Sequence, residues 1–350
     1  MFGRKQELLS WICALGIGFV IANFLVSFYF FEPGWFNRQG GATGMIYEPG
    51  GKIVRADEGY TVTYVDENGY INESSELSEN GYVLILGNSQ SNGNNVMPED
   101  KYVQVLNRML KTDRQDEGVC AYNISVGGTD FCDIVKGFDA AIREFPQSEA
   151  VVIQIQTTDL NLEKLRDCIS QRAFSEEDKG SYLKEHITLK QKLMNRIKDY
   201  FPLWIYLWEI KSQKIDLDFE SAFWYHEGNA HLVADTELDM DEYEKVLDGV
   251  LKSLRSDYNG KVIIVNVPII NLGSNGTIVC DESETETVFE NLCKKNGVEY
   301  CNMISRYQNE YARNCKLPYG FCNTSMGTGH LNKDGHRMVA EELYNVLKRR

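Results

Sequence analysis

Runs of aliphatic and β-branched residues, each closed by a turn, recur along the chain at Val83–Leu86, Val151–Ile155 and Lys261–Pro268. Runs of this length and content read as buried strands. Between them the period changes, and apolar positions fall at helical spacing across Tyr102–Leu110, Ile134–Glu144 and the segment after Arg337. A further strand is expected around Ala121–Ile124. Alternation of strand and helix predicts an α/β fold with a parallel sheet. The 350 residues suffice for one large α/β domain with insertions. Between residues 160 and 254 the pattern turns helical and charged, clearest at Thr188–Ile197 and Glu242–Leu251, and reads as an insertion. Phe201–Trp208 is strongly apolar but, at this length, too short to cross a membrane. It reads as the buried start of a helix or as a wall of a binding site.

A different pattern opens the chain. Leu8–Phe31 carries no charge and as a helix is long enough to cross a bilayer. Arg4 and Lys5 precede it, and Trp11, Tyr29 and Trp35 lie near its ends, which predicts a cytoplasmic amino terminus and an outward-facing body. The alternative is a cleaved signal peptide, although the run exceeds a typical h-region and no Ala-x-Ala site follows. The expected organisation is a tail at 1–7, a membrane anchor at 8–31, a Gly- and Pro-rich linker at 32–55 and the folded domain at 56–350. Residues 56–80 add short alternating strands and acidic turns.

The net charge of −15 is spread along the chain, with no basic cluster interleaved with aromatics, which argues against nucleic acid as a partner. Of nine cysteines, eight follow the apolar run. No Cys-x-x-Cys pair occurs, and the most plausible local disulfide joins Cys315 to Cys322 across a Pro-Tyr-Gly turn. The sequons at Asn72, Asn123, Asn275 and Asn323 read as chance matches.

The chemistry concentrates at two places. Tyr82–Leu86 ends in Gly87-Asn88-Ser89-Gln90-Ser91, so Ser89 should project from the carboxyl edge of the sheet, where ligands bind in open α/β folds. Near the other end, Gly329-His330-Leu331-Asn332 precedes the last helix and puts His330 in a loop. Together these blocks resemble the SGNH (GDSL-type) hydrolase family, with Ser89 at the nucleophile and His330 at the catalytic histidine. Two intermediate blocks extend the resemblance. Tyr122–Thr129 resembles the segment whose glycine amide, here Gly128, helps bind an oxyanion. Val151–Asp159 arrives where the family has Gly-x-Asn-Asp, with Gln156 in place of the glycine and Thr158 in place of the asparagine. The family's aspartate three residues before the histidine is replaced by Gly327. The order of the blocks, together with Tyr64–Tyr70 before the first strand, extends the resemblance over residues 55 to 350.

The resemblance implies a flavodoxin-like three-layer sandwich around that parallel sheet, and the apolar run places one transmembrane helix before it. It also implies a Ser89 acyl-enzyme, His330 as general base, and an oxyanion hole of Ser89, Gly128 and Thr158. Thr328, Asn323, a backbone carbonyl or an acid from the insertion could orient His330. The implied substrate is an acylated, most plausibly acetylated, cell-surface glycan or another small ester, cleaved by water or transferred to a sugar hydroxyl. The competing reading is a family member that keeps the fold and binds glycan or an assembly partner without turnover. No cofactor is expected and no metal. His226 and His231 lack the spacing of a helical zinc pair, His186 is lone, and His336 continues the closing helix. Asp159 reads as a structural anchor for its loop.

Overall fold

The structure, a computed structural model, describes residues 2–37, 43–78, 81–113, 119–173, 189–212, 238–273, 276–280 and 283–349. The chain opens with α1 (Phe2–Val26) and continues through β1 (Trp35–Asn37), β2 (Met45–Tyr47), β3 (Lys52–Arg55) and β4 (Thr61–Tyr64). Next come β5 (Tyr82–Leu86), α2 (Ser89–Asn92), α3 (Tyr102–Asp113), β6 (Cys120–Asn123), α4 (Phe131–Glu144) and β7 (Ser148–Ile155). Four helices follow, α5 (Leu162–Ala173), α6 (Leu189–Tyr200), α7 (Pro202–Ser212) and α8 (Met240–Asp257). The chain closes with β8 (Lys261–Asn266), the short pair β9 (Asn271–Leu272) and β10 (Ile278–Val279), α9 (Glu284–Lys295), β11 (Glu299–Asn302), α10 (Ile304–Asn314) and α11 (Lys333–Lys348).

Five strands form one parallel sheet in the order β11-β8-β7-β5-β6. Counted along the chain this is the 2-1-3-4-5 order of a flavodoxin-like sheet. Its central strands are apolar on both faces because both are covered. Leu84, Leu86, Val151, Ile153 and Ile264 face a core shared with α4, α5, α8 and α9. Val83, Ile85, Val152, Ile263 and Val265 face a second core shared with α3, α10 and α11. Each such fully buried side chain contributes roughly 1.5–3 kcal/mol relative to exposure, which explains why these runs carry no polar alternation. The order reverses between β5 and β7, and the crevice at their carboxyl ends is where such sheets bind ligands.

Four features depart from the sequence reading. The span expected as a linker, 32–55, contains β1, β2 and β3, and β3 pairs with β4 as an antiparallel hairpin. The helical region is not wholly an insertion, since α5 and α8 bury Leu165, Tyr243, Leu247 and Leu251 in the main core. Phe201–Trp208 does begin a helix, α7, but only partly a buried one, since Pro202 and Ile205 are buried while Phe201, Trp204 and Leu207 are exposed. All nine cysteines are free, Cys315 and Cys322 among them.

Helix α1 is long and apolar enough to cross a membrane over Arg4–Val26, with a mean hydropathy of 2.2 in its most apolar window. It ends at Val26 rather than continuing to Phe31. The chain then turns, and Phe31 pairs with Val54 on β3 through backbone hydrogen bonds of 3.0 and 2.8 Å.

Candidate active site

The β5 run ends at Gly87, where any side chain would collide with Ser91 Oγ and Gln154 Oε1. Asn88 then caps α2 in an extended conformation, its side chain accepting from the Gln90 amide at 2.9 Å. This turn places Ser89 as the first residue of α2 at the switch point of the sheet. A buried polar cluster holds it from below. Gln154 Oε1 accepts from the Asn88 amide (3.2 Å) and from Ser91 Oγ (3.0 Å), while the Tyr102 hydroxyl donates to Ser91 Oγ (2.7 Å).

His330 arrives from the loop before α11. Its Nε2 lies 3.0 Å from Ser89 Oγ, and its Nδ1 contacts Glu58 Oε2. The same carboxylate oxygen accepts from the His330 backbone amide at 3.2 Å. An ionised carboxylate only accepts hydrogen bonds, so this contact selects the tautomer with the proton on Nδ1 and turns the Nε2 lone pair toward the serine. Gly329, at φ +79°, makes the approach possible, because a Cβ there would meet the Glu58 carboxylate.

Glu58 stands in the turn of the β3–β4 hairpin, and three contacts fix that turn. Asn323 Oδ1 accepts from the Gly59 amide at 2.8 Å, and Asn323 Nδ2 donates to Ala56 O at 3.0 Å and more distantly to Asp57 O. Thr61 Oγ1 donates to Val96 O at 2.8 Å. Lys101, buried, donates to Thr63 Oγ1 at 3.2 Å, and burial lowers its pKa to about 7. Neither of the hydroxyl or amide groups expected to orient His330 does so. Thr328 Oγ1 donates to Ser325 O, and Asn323 is occupied with the hairpin turn. The group at Nδ1 is an acid, but it comes from the amino-terminal hairpin and not from the helical region.

Gln90 is the other side chain that motif reading passed over. Buried at 4% exposure, it accepts from Leu331 N at 2.8 Å and donates to Gly329 O at 3.4 Å, bracketing His330 on both sides. The loop bearing His330 is thus bonded to the residue next to Ser89. Asn332 caps α11 by accepting from the Asp334 and Gly335 amides, and ties the loop down by donating to Leu317 O and Gly320 O.

The Gly127–Gly128 loop runs beside the serine, since a Cβ at Gly127 would lie 3.8 Å from that of Ser89. Thr129 Oγ1 secures it by donating to Gly87 O and Val126 O. Gly128 is exposed, with φ +82° and open space where a side chain would be. Thr158 does not join these groups. Its hydroxyl is buried at 2% exposure and bonded to Thr285 Oγ1 (3.0 Å) and Glu286 Oε2 (3.2 Å), which removes it as an oxyanion donor. Asp159 accepts from the hydroxyls of Ser283 and Thr285, both at 2.5 Å, and so anchors α9 to the loop. A second amide, Gln156, also reaches the turn after β5, its Oε1 accepting from Asn88 Nδ2 at 2.9 Å. Asn88 Oδ1 is already committed to a backbone donor, so the orientation of both amides is fixed. Gln156 Nε2 is left without a protein acceptor among the described residues.

His336 is buried beneath this layer, stacked on Tyr102 with Nδ1 accepting from the Tyr102 amide at 3.2 Å. Burial, with smaller contributions from Lys101 and His330, lowers its pKa to about 3. His186, His226 and His231 lie outside the described residues. A cavity of about 430 Å³ lies beside Gly87, Val126 and Thr129, but neither Ser89 nor His330 lines it.

No protein-family model and no curated protein matches the chain. Among solved structures, the chain is similar to the acetyl xylan esterase AlAXEase at 14% identity and TM-score 0.41, over 76% of this chain and 99% of that one. It is similar to a catalytic mutant of Axe2, an acetylxylan esterase from Geobacillus stearothermophilus, at 13% identity and TM-score 0.41, over 79% and 97%. A putative GDSL-like lipase from Parabacteroides merdae gives 12% identity and TM-score 0.41, over 78% and 99%. Likeness this slight carries neither substrate nor residue roles to this chain.

Proposed function

We propose that this chain is a membrane-anchored serine esterase or acyltransferase of the SGNH type, with Ser89 as nucleophile, His330 as general base and Glu58 as the carboxylate that orients the base. The observation carrying this reading is the chain of contacts from Ser89 Oγ through His330 Nε2 and Nδ1 to Glu58 Oε2. A nucleophile bonded to a base that is itself held by a third group is the arrangement serine acyl transfer requires.

In the first step Ser89 Oγ attacks the ester carbonyl carbon while His330 Nε2 takes its proton, and the imidazolium is stabilised by the Glu58 carboxylate. The amides of Ser89 and Gly128 face the developing oxyanion. Collapse of the tetrahedral intermediate breaks the ester C–O bond, and His330 returns the proton to the leaving alcohol. Water or a sugar hydroxyl, deprotonated by the same nitrogen, then resolves the acyl-enzyme.

The substrate class follows from the resemblance and from α1 read as an outward anchor: a small acyl group, foremost acetyl, on an extracytoplasmic glycan. The 3.0 Å serine–histidine contact and the carboxylate behind it support an enzyme over a binder without turnover. The test is labelling of the full-length chain in detergent by a fluorophosphonate, in wild type, Ser89→Ala and His330→Ala. Labelling of wild type alone is the expected result. A folded wild type that does not react overturns the reading in favour of the binder.

A further inference from the structure

The helices α6 and α7 present an apolar surface that the catalytic reading does not use. Phe201, Trp204 and Leu207 are 43%, 60% and 53% exposed, and no charge occurs between Pro202 and Trp208. A soluble surface seldom carries such a cluster without a partner. What adjoins it is α1. The Phe201 ring lies 6.1 Å from that of Phe19, and Tyr206 packs against Tyr29 at 5.7 Å and Phe30 at 5.3 Å.

The junction is also bonded in a way that suits a medium without water. The break between α6 and α7 leaves the Tyr200 carbonyl and the Leu203 amide outside the helical ladders. Asn23, inside the apolar run of α1, closes both: Nδ2 donates to Tyr200 O at 2.7 Å and Oδ1 accepts from Leu203 N at 3.1 Å. In water these groups need no such partner. In hydrocarbon an unsatisfied backbone group costs several kcal/mol, and a polar side chain within a spanning helix is tolerated where it is paired in this way. Phe19 lies seven residues before the end of α1, so at 1.5 Å per residue its level is about 10 Å below that end. The start of α7 is therefore level with the apolar part of α1. On α6 the exposed Lys190 and Arg196 accompany exposed Leu189, Leu193 and Met194, a composition suited to a headgroup boundary.

We propose that α6 and α7 form a second membrane element, a re-entrant interfacial hairpin lying in the outer leaflet against α1, with Phe201, Trp204 and Leu207 among the acyl chains. The inference rests on α1 spanning the bilayer and is independent of turnover at Ser89. It makes the catalytic domain fixed to the membrane at two places rather than swinging on a single tether.

The test is tryptophan fluorescence of the full-length chain in phosphatidylcholine–phosphatidylglycerol vesicles, with acyl chains brominated near the headgroup or near the terminal methyl. Trp204→Phe and Trp11→Phe isolate the two emissions by difference. The expected result is loss of most of the Trp204 emission to the lipid brominated near the headgroup, with no quenching by aqueous iodide. Trp204 quenched by iodide and not by lipid overturns the proposal, as does a Trp204 reached by neither quencher, which would mean protein covers the face. Trp11 reports separately on α1. If brominated lipid quenches Trp11 and spares Trp204, the span stands and the hairpin fails. If it spares both, the membrane reading of α1 fails with it.

Discussion

Replacing Glu58 by glutamine separates two things a carboxylate does for a catalytic histidine: fixing its tautomer and stabilising its cation. In this structure one oxygen of Glu58 meets both His330 Nδ1 and the His330 backbone amide. The backbone amide is an obligatory donor. A glutamine at 58 must therefore turn its carbonyl oxygen, not its amino group, into that position, and the tautomer with Nε2 free for Ser89 is retained. What is lost is charge. Opposite unit charges about 4 Å apart near a protein surface attract by roughly 4 kcal/mol. The side chains of His330 and Glu58 are 33% and 23% exposed, so solvent screening reduces the effect. Taking about half leaves roughly 2 kcal/mol, or about 30-fold in rate. Glu58→Ala removes the acceptor as well and frees the ring to turn, and disabling this carboxylate in a protease triad costs about 10⁴ in turnover. The assay is the pseudo-first-order rate of fluorophosphonate labelling, together with hydrolysis of p-nitrophenyl acetate, by full-length variants with unchanged melting temperature. The expected order is wild type, then Gln, then Ala, with Gln clearly between the others. A Gln variant as slow as Ala would refute the argument from the shared oxygen, and one as fast as wild type would remove Glu58 from the site.

Gln90→Ala should leave the buried Leu331 amide without its acceptor, costing about 1–3 kcal/mol by chemical denaturation and slowing labelling of Ser89 by loosening the His330 loop. Thr158→Val should cost about 1 kcal/mol of stability through its lost hydroxyl bonds while labelling proceeds at nearly the wild-type rate; a large loss of labelling would return Thr158 to the oxyanion hole. His336 has a folded pKa of about 3 against an ordinary value of 6.5. The unfolded chain therefore binds the extra proton between these values, and this residue's contribution falls as pH drops from 6.5 to 3, at up to about 1.4 kcal/mol per pH unit. Urea unfolding at stepped pH should show a shallower acid slope in His336→Gln, and equal slopes would refute the assignment.

The sequence was most readable where chemistry and local pattern coincide. Ser89 closes an unbroken apolar strand, and His330 stands before the cap of a periodic helix, so each is signalled by its neighbours. Glu58 has no such signal. It is 272 positions from His330, in an acidic turn that locally reads as solvated, and its role exists only because Asn323 and the β3–β4 pairing carry that turn across the fold. The useful clue was negative: Gly327 at the place of the family's aspartate requires another acid if the site is to work, and Lys52–Arg55 and Thr61–Tyr64 flanking Asp57-Glu58-Gly59 form a hairpin that could deliver one. Thr158 misleads for the converse reason. The resemblance assigns it by position along the chain, but its hydroxyl is taken by Thr285 and Glu286, which approach only when α9 packs. Phe201–Trp208 misleads because apolar content reports a preference for leaving water and does not say whether protein or lipid receives it. Its contact with α1 is the observation from which lipid is proposed. It also gives the hairpin position of Glu58 a physical sense. Phe31, five residues beyond the end of α1, pairs with Val54 on the strand that leads to Glu58, so the same short segment joins α1 to the carboxylate. Perturbing the exit from α1 should therefore reach His330 through β3.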